Sequence, residues 1–258
     1  MPHQSKFERP VHPLSVIVLA AGKGKRLQTE KSDLPKVLRE AAGKPLLRWV
    51  LDHVSFVLPA QIAIVVGFQA DRVKEAMGSA YQYALQTEQL GTGHAVAAAA
   101  PMFQDFSGDV LVVYGDMPLV RQETYHKLVT QHQGSQADCT LLTAETEHVP
   151  DYGRIIRDEQ GRFAGIVEQR DCTPEQLEIS EVNPGIYIFR AEKLFKALEK
   201  LNNDNAQGEY YLTDVPLLML QAGDQVETVM IQDEQQILGV NTLEDLARCN
   251  EILLKEDT

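Results

Sequence analysis

The chain has 258 residues, of which 44% are hydrophobic, so it can bury a full core as one large α/β domain or two smaller ones. A net charge of −13 argues against a general nucleic-acid-binding surface, although a local group of cations can still hold a small anion. The three cysteines are widely spaced, which argues against a disulfide framework or a zinc site. With neither a signal-peptide pattern nor an apolar run of about 20 residues, we expect a cytoplasmic protein with no membrane partner.

The first predicted element is a strand at residues 16–19, a short β-branched run suited to burial on both faces of a parallel sheet. A bare backbone follows at Ala20, Ala21 and Gly22, where N–H groups can face phosphate oxygens. Five cations surround this loop: Lys23, Lys25, Arg26, Lys31 and Lys36. Strand, glycines and cations together predict a polyphosphate-binding loop.

Strands and helices then alternate at short spacing. Predicted strands lie at 62–66, 81–85 and 110–113, and predicted helices begin at Pro45 and lie at 69–77, 92–100 and 124–133, the last ended by Gly134. This order predicts a mostly parallel sheet with helices on both faces.

The second half is less regular. It contains a strand at 139–143, a hairpin from 155–157 to 163–167, a strand at 182–189 interrupted by Pro184 and Gly185, and a last strand at 226–231. Helices are predicted at 191–201 and 211–220, and Thr242 caps a terminal helix. We therefore predict a loose leader at 1–14 and a single domain at 15–258. Its nucleotide half spans about 15–135, and its β-rich sugar-side half spans about 136–258.

The glycine loop matches neither common phosphate-binding motif. Leu27 stands where a dinucleotide fingerprint needs glycine, and the same position breaks the Walker A pattern. A glycine turn with solvated lysines is therefore an alternative interpretation of the loop.

Two later loops carry further candidate groups. Gln86 and Gln89 offer amides that can complement the edge of uracil, and Gly91 lets the backbone approach a flat base; a polar loop that caps a helix is the alternative. Asp116 follows an apolar strand, where its carboxylate could bind Mg²⁺, although a turn aspartate before proline is the alternative. Asn241, judged by its position alone, is an N-cap-region residue before the last helix.

Taken in order, these motifs resemble the sugar-nucleotide pyrophosphorylases. The run L-A-A-G-K-G-x-R-L followed by S-D-L-P-K is similar to the family signature, and L-Q-x-E-Q-L-G-T-G-H-A is similar to its uridine-binding segment. Within the family, the chain most resembles the domain that transfers uridylyl to N-acetylglucosamine 1-phosphate. The likeness covers nearly the whole chain from Val16 and implies a Rossmann-like nucleotidyltransferase fold.

The resemblance implies a role for each candidate residue. Lys36 and Arg26 would be catalytic, with Lys36 on the reacting phosphates and Arg26 with Lys23 on the leaving pyrophosphate. The implied nucleotide-binding residues are Leu19, Ala20, Ala21, Gly22, Lys23, Lys36, Gln86, Gln89, Gly91 and Thr92. The implied sugar-binding residues are Tyr114, Gly153, Glu168, Asn183, Glu209, Tyr211 and Thr213. The implied ligands of Mg²⁺ are Asp116 and Asn241, whereas His94 is interpreted as a structural helix residue.

The implied reaction joins UTP to N-acetyl-α-D-glucosamine 1-phosphate and yields UDP-N-acetylglucosamine and pyrophosphate. Pro184 stands where the family usually has threonine, so another sugar 1-phosphate, such as glucose 1-phosphate, is an alternative substrate. A catalytically silent nucleotide-binding subunit is an alternative of another class. The family's C-terminal β-helix of hexapeptide repeats is missing from the sequence, so we expect no acetyltransferase activity and a monomer or weak dimer.

Overall fold

The structure is a computed structural model that describes residues 12–27, 33–146 and 151–256. Leu14, the last residue of the predicted leader, is already the first residue of a buried strand. Residues 1–11 of that leader lie outside the described part, as does Lys31. Within the described part, no helix is both long and apolar enough to cross a bilayer.

Twelve strands and eight α-helices form the described chain. The strands are β1 (Leu14–Ala20), β2 (Glu40–Ala41), β3 (Lys44–Pro45), β4 (Ile62–Val66), β5 (Gln82–Leu85), β6 (Asp109–Tyr114), β7 (Cys139–Glu145), β8 (Gly153–Arg157), β9 (Phe163–Val167), β10 (Glu181–Asn183), β11 (Tyr187–Arg190) and β12 (Val226–Ile231). The helices are α1 (Leu46–His53), α2 (Ala70–Met77), α3 (Thr92–Ala97), α4 (Gln122–Ser135), α5 (Pro174–Leu177), α6 (Ala191–Leu198), α7 (Val215–Gln221) and α8 (Leu243–Glu256).

Ten of the strands form one mixed sheet in the order β5-β4-β1-β6-β11-β7-β10-β8-β9, with β12 paired to β7. Strands β5, β4, β1 and β6 are parallel, as the strand–helix alternation predicts. Beyond β6 most pairings are antiparallel, apart from the parallel pair of β7 and β12. The predicted α/β architecture with a mixed sheet and a β-rich second half is confirmed.

The sheet is buried on both faces, because alternate side chains of a strand point to opposite sides. In β1, Val16 and Val18 pack in one apolar cluster with helices α1, α2 and α4, whereas Ile17 and Leu19 pack in another with α3, α6 and α7. Full burial of each such side chain contributes about 1.5–3 kcal/mol. This two-sided core fixes the ends of β1 and β6, and the candidate site lies at those ends.

One local prediction needs correction. Gly134 does not end α4, because the helix continues to Ser135 and the reversal falls on Gln136, which adopts a left-handed φ of 57°. The predicted interruption of the strand at 182–189 by Pro184 and Gly185 is confirmed, since β10 ends at Asn183, β11 begins at Tyr187, and Gly185 has a φ of +88° between them. The strands β4, β9 and β12 also have the predicted bounds.

Candidate active site

The site begins at the carboxyl ends of two neighbouring parallel strands. Leu19 pairs with Tyr114 in the register of β1 and β6, and the N–H of Gly115 donates to the carbonyl of Leu19 at 2.9 Å. These bonds align the bare loop after Ala20 with the loop that carries Asp116. The edge outside the carboxyl ends of parallel strands is where open α/β sheets bind ligands.

Beside this edge lies a cavity of about 260 Å³, which we call the smaller cavity. Its lining includes Leu19, Ala20, Ala21, Gly22, Lys36, Gln86, Gln89, Gly91 and Thr92, which are all of the predicted nucleotide-binding residues except Lys23. Gly22 has no heavy atom within 4 Å of the position that a Cβ would take, so its backbone faces open space.

An adjoining cavity of about 620 Å³, the larger cavity, extends toward the second half of the chain. Its lining includes every predicted sugar-binding residue: Tyr114, Gly153, Glu168, Asn183, Glu209, Tyr211 and Thr213. The sequence therefore predicted two groups of residues that the fold brings together in two separate places.

The two cavities meet at a shared wall. The residues that line both are Lys36, Thr92, Tyr114, Asp116 and Glu209. A molecule bound in each cavity would therefore contact the same lysine and the same aspartate. This junction is where a group could pass from one bound molecule to the other.

Lys36 lies between the two predicted metal ligands at this junction. Its ammonium forms an ion pair with Asp116 and donates to the Oδ1 of Asn241 at 2.7 Å. The side chains of Lys36 and Asp116 are only 14% and 17% exposed. A carboxylate oxygen and an amide oxygen thus face one positive charge.

The orientation of these two ligands is fixed by the backbone. The N–H of Val240 donates to the carbonyl of Asp116 at 3.0 Å, which joins the two segments. The Asn241 side-chain nitrogen donates to the carbonyl of Gly239 at 3.4 Å, so its oxygen faces the junction.

Hard oxygen donors in this number suit a divalent cation that keeps several waters or phosphate oxygens. The convergence of both oxygens on the Lys36 ammonium shows that they fit one cation. No group of three or more His, Cys, Asp or Glu side chains that could hold a metal occurs in the part of the chain that the structure describes. A cation here would therefore rely on Asp116, Asn241 and its substrates.

Tyr152 lines the larger cavity beside the predicted contact Gly153, and its role was not predicted from the sequence. Its hydroxyl donates to the carbonyl of Ile237 at 2.7 Å and accepts from the N–H of Gly239 at 3.0 Å. It thereby holds the turn that leads into Asn241. The sequence signal was an aromatic residue beside a predicted contact, and nothing in the sequence paired it with a segment 85 residues away.

Residue His94 lies on α3 behind the smaller cavity. The Nε2 of Gln86 is 3.1 Å from the His94 Nδ1 and donates to the carbonyl of Gly91 at 3.1 Å. His94 does not line either cavity. It is a helix residue, as predicted, but one that contacts a predicted base-binding side chain.

The larger cavity contains a carboxylate in a partly buried setting. Thr213 donates its hydroxyl to Glu168 at 2.8 Å. Burial raises the pKa of the Glu168 carboxyl, and nearby Asp214, Asp171 and Glu209 add to the rise, while the bond from Thr213 opposes it. This carboxylate is a strong acceptor for a hydroxyl, and its ionised form is costly here.

The loop between β10 and β11 forms another wall of the larger cavity. Asn183 is 3% exposed; its amide donates to the Tyr187 hydroxyl at 2.6 Å and its oxygen accepts from the N–H of Gly185 at 3.2 Å. A Cβ on Gly185 would lie 2.4 Å from the ring of Tyr114. Pro184 also lines this cavity, so the residue that departs from the family pattern faces the predicted sugar side.

The predicted pyrophosphate contacts are more dispersed. Arg26 is exposed, lines the larger cavity and has a guanidinium nitrogen 3.7 Å from a carboxylate oxygen of Asp151. Lys23 is exposed and lines neither cavity. The described structure therefore brings Lys36 into the junction but not these two cations.

A profile of nucleotidyl transferases matches residues 15–252, which is most of the chain. The chain belongs to the nucleotidyl transferase family. The resemblance drawn from the sequence motifs is thus confirmed at the level of the family, and the two-cavity site lies within the matched region of this family member.

Several curated relatives are similar over the same region. The chain is 45% identical over 239 residues to the bifunctional protein GlmU of Levilactobacillus brevis, covering 93% of this chain and 51% of that protein. The corresponding protein of Paraburkholderia phytofirmans is 46% identical over 240 residues, with 93% and 52% covered. The chain thus spans about half the length of the curated relatives it matches.

A solved structure supports the fold independently. A Bacillus anthracis protein whose name assigns it to the glucose-1-phosphate thymidylyltransferases superposes with a TM-score of 0.73 at 18% identity. The superposition covers 93% of this chain and 95% of that one. At this identity the likeness concerns the fold alone.

Proposed function

We propose that this chain transfers the uridylyl group of UTP to N-acetyl-α-D-glucosamine 1-phosphate, yielding UDP-N-acetylglucosamine and pyrophosphate, with Mg²⁺ as its cofactor. One observation carries the proposal: two cavities share a wall at Lys36 and Asp116. Such a wall suits a reaction between two bound anionic substrates. The 45% identity to a bifunctional GlmU protein supports the choice of this reaction within the family.

In this proposal UTP occupies the smaller cavity. The exposed backbone at Gly22 offers N–H groups and close approach to phosphates. The buried amide of Gln86 offers a polar group to the base. The triphosphate then extends toward Lys36, which lines both cavities.

The sugar phosphate occupies the larger cavity. Glu168, which accepts a hydrogen bond from Thr213, has further acceptor capacity for sugar hydroxyls. Tyr211 is buried and its hydroxyl accepts from the side chain of Gln207 at 2.9 Å, which adds an aromatic wall. Polar groups at fixed positions on an aromatic background are typical of small-ligand sites.

The chemistry needs alignment more than proton transfer. The attacking phosphate oxygen is already anionic, so neither a general base nor a covalent nucleophile is required, and two negative groups must instead be brought into line. Lys36 would neutralise phosphate charge at the junction, and Asp116 with Asn241 would hold Mg²⁺. When bound, Mg²⁺ supplies a Lewis acid that lowers the repulsion between the phosphates. Arg26 and Lys23 would steady the departing pyrophosphate at the exposed rim.

The direct test is pyrophosphate release by the purified chain with UTP, Mg²⁺ and a panel of sugar 1-phosphates. We expect release with N-acetylglucosamine 1-phosphate and its loss when a chelator is added. The Asp116→Ala variant should lose about a hundredfold or more in turnover, the scale of removing a major electrostatic group.

Each alternative has its own outcome in this assay. Release with glucose 1-phosphate instead would keep the chemistry and reassign the sugar, with Pro184 as the first residue to exchange. A folded chain that binds UTP but releases no pyrophosphate with any sugar would favour the silent nucleotide-binding subunit. Near-normal turnover of the Asp116 variant would remove that residue from the proposed mechanism.

A further inference from the structure

The amide of Gln86 is held in one orientation by two neighbours. Its side chain is buried, with 4% of the residue exposed. Its nitrogen Nε2 lies 3.1 Å from the Gly91 carbonyl and 3.1 Å from the His94 Nδ1. A primary amide nitrogen carries two hydrogens, so these two contacts use both of them.

The chemistry of the neighbours fixes which atom points where. A carbonyl only accepts, so the amide atom that faces Gly91 must be the nitrogen. The second hydrogen then points at His94, whose Nδ1 must accept it. This contact is a hydrogen bond in the His94 tautomer that carries its proton on Nε2, because a proton on Nδ1 would set two donors against each other.

This arrangement leaves the Oε1 of Gln86 as the free end of the amide. Among the hydrogen bonds of the described residues, none uses that oxygen, and Gln86 lines the smaller cavity. A free acceptor complements the ring N–H of uracil. It opposes cytosine, whose corresponding ring nitrogen is itself an acceptor.

We infer that His94 is a positioning residue that, together with the Gly91 carbonyl, sets the pyrimidine preference of the site. By accepting from Gln86, it stabilises the amide orientation that accepts a hydrogen bond from a uracil-type N–H and disfavours a cytosine-type ring nitrogen. This inference rests on the proposed function in one respect, namely that the base of the nucleotide lies in the smaller cavity. His94 itself lines neither cavity and acts only through Gln86.

Two variants separate this role from simple packing. His94→Leu removes the acceptor, whereas His94→Asn can offer an oxygen at the same number of bonds from the main chain as Nδ1. Loss of one neutral hydrogen bond is expected to lower the UTP-over-CTP preference about tenfold, or about 1.4 kcal/mol. The asparagine variant should keep the preference within about twofold of the starting chain, as restored acceptor chemistry predicts.

The experiment is equilibrium binding of UTP and of CTP to the full chain and to both variants, with turnover of each nucleotide measured in parallel. Because misfolding lowers both affinities together, their ratio reports the amide orientation. A tenfold fall for His94→Leu with rescue by His94→Asn supports the inference. An unchanged ratio in the leucine variant, an equal fall in both variants, or no UTP preference in the starting chain overturns it. Absence of pyrophosphate release would instead refute the proposed reaction, since the binding ratio does not depend on turnover.

Discussion

Replacing Lys36 by methionine should have opposite effects on metal binding and on catalysis. In the described structure the Lys36 ammonium contacts both Asp116 and Asn241, so a divalent cation must displace it to reach those oxygens. Methionine keeps an unbranched apolar stem of similar length and removes the charge. The metal should then bind more tightly, while turnover falls because the phosphates lose a cation.

The size of the effect follows from the charges. Two unit charges about 4 Å apart attract by about 4 kcal/mol at an effective dielectric constant of about 20. The cost of removing both charges from water and of ordering the lysine side chain leaves a net of about 1 kcal/mol. That corresponds to roughly fivefold tighter metal binding by the nucleotide-free variant.

Mn²⁺ titration followed by electron paramagnetic resonance gives the dissociation constant without any turnover. Lys44→Met is the matched control, because Lys44 forms a 2.8 Å ion pair with Asp52 on α1, away from the junction. It should leave Mn²⁺ affinity unchanged. Equal or weaker Mn²⁺ binding in Lys36→Met would refute the idea that the ammonium and the metal compete for the same oxygens.

Three further variants test the surroundings of the junction. Gly24→Ala should cost about 1–2 kcal/mol of stability and lower turnover, because Gly24 has a φ of +59° and an added Cβ would lie 2.5 Å from the Lys36 Cβ. Gly22→Ala is the control in thermal unfolding, since a Cβ there would have no heavy atom within 4 Å. Glu168→Gln should raise the melting temperature at pH 8, by about 2–4 °C for each kcal/mol gained in the free energy of unfolding, but should leave it unchanged near pH 4. The reason is that the raised pKa of the Glu168 carboxyl makes its ionised form destabilising only as the pH rises above the ordinary pKa of a glutamate. Tyr152→Phe should weaken Mn²⁺ binding severalfold while unfolding remains cooperative, because the turn before Asn241, the proposed metal ligand, loses two hydrogen bonds. Unchanged Mn²⁺ affinity would contradict this role.

The parallel half of the fold could be predicted from local pattern. Short apolar runs such as 62–66 give buried strands, and alternating helices impose a parallel order on them. The antiparallel insertion of β11 beside β6 could not be predicted, because pairing between Tyr187 and Val112 joins segments 75 residues apart with no local signal. The prediction that α4 ends at Gly134 was wrong for a related reason. Glycine inside a helix is only modestly unfavourable, and Gln136 could adopt the left-handed conformation instead.

The candidate site shows the same division. The resemblance of the ordered motifs to the family implied which side chains line each cavity, whereas residue chemistry alone left a glycine turn, a polar loop or a capping residue open as alternatives. The contacts among these residues could not be predicted from the sequence. The hydrogen bond from Lys36 to Asn241 joins residues 205 positions apart. The hydrogen bond from Tyr152 to the turn before Asn241 likewise depends on how two distant loops fold together.

One feature of the fold limits how the enzyme could be re-engineered. The Tyr210 N–H donates to the Leu90 carbonyl at 2.8 Å, the Gly93 N–H donates back to the Tyr210 carbonyl at 2.8 Å, and Leu212 bonds to Thr92. A Cβ on Gly91 would lie 2.5 Å from the Tyr210 carbonyl oxygen. The loop at residues 90–93 and the segment at residues 210–212 are therefore held together by these hydrogen bonds and do not vary independently. A chimera that takes only one of them from a relative that binds another sugar would lose the fit between the two, so both segments should be exchanged together.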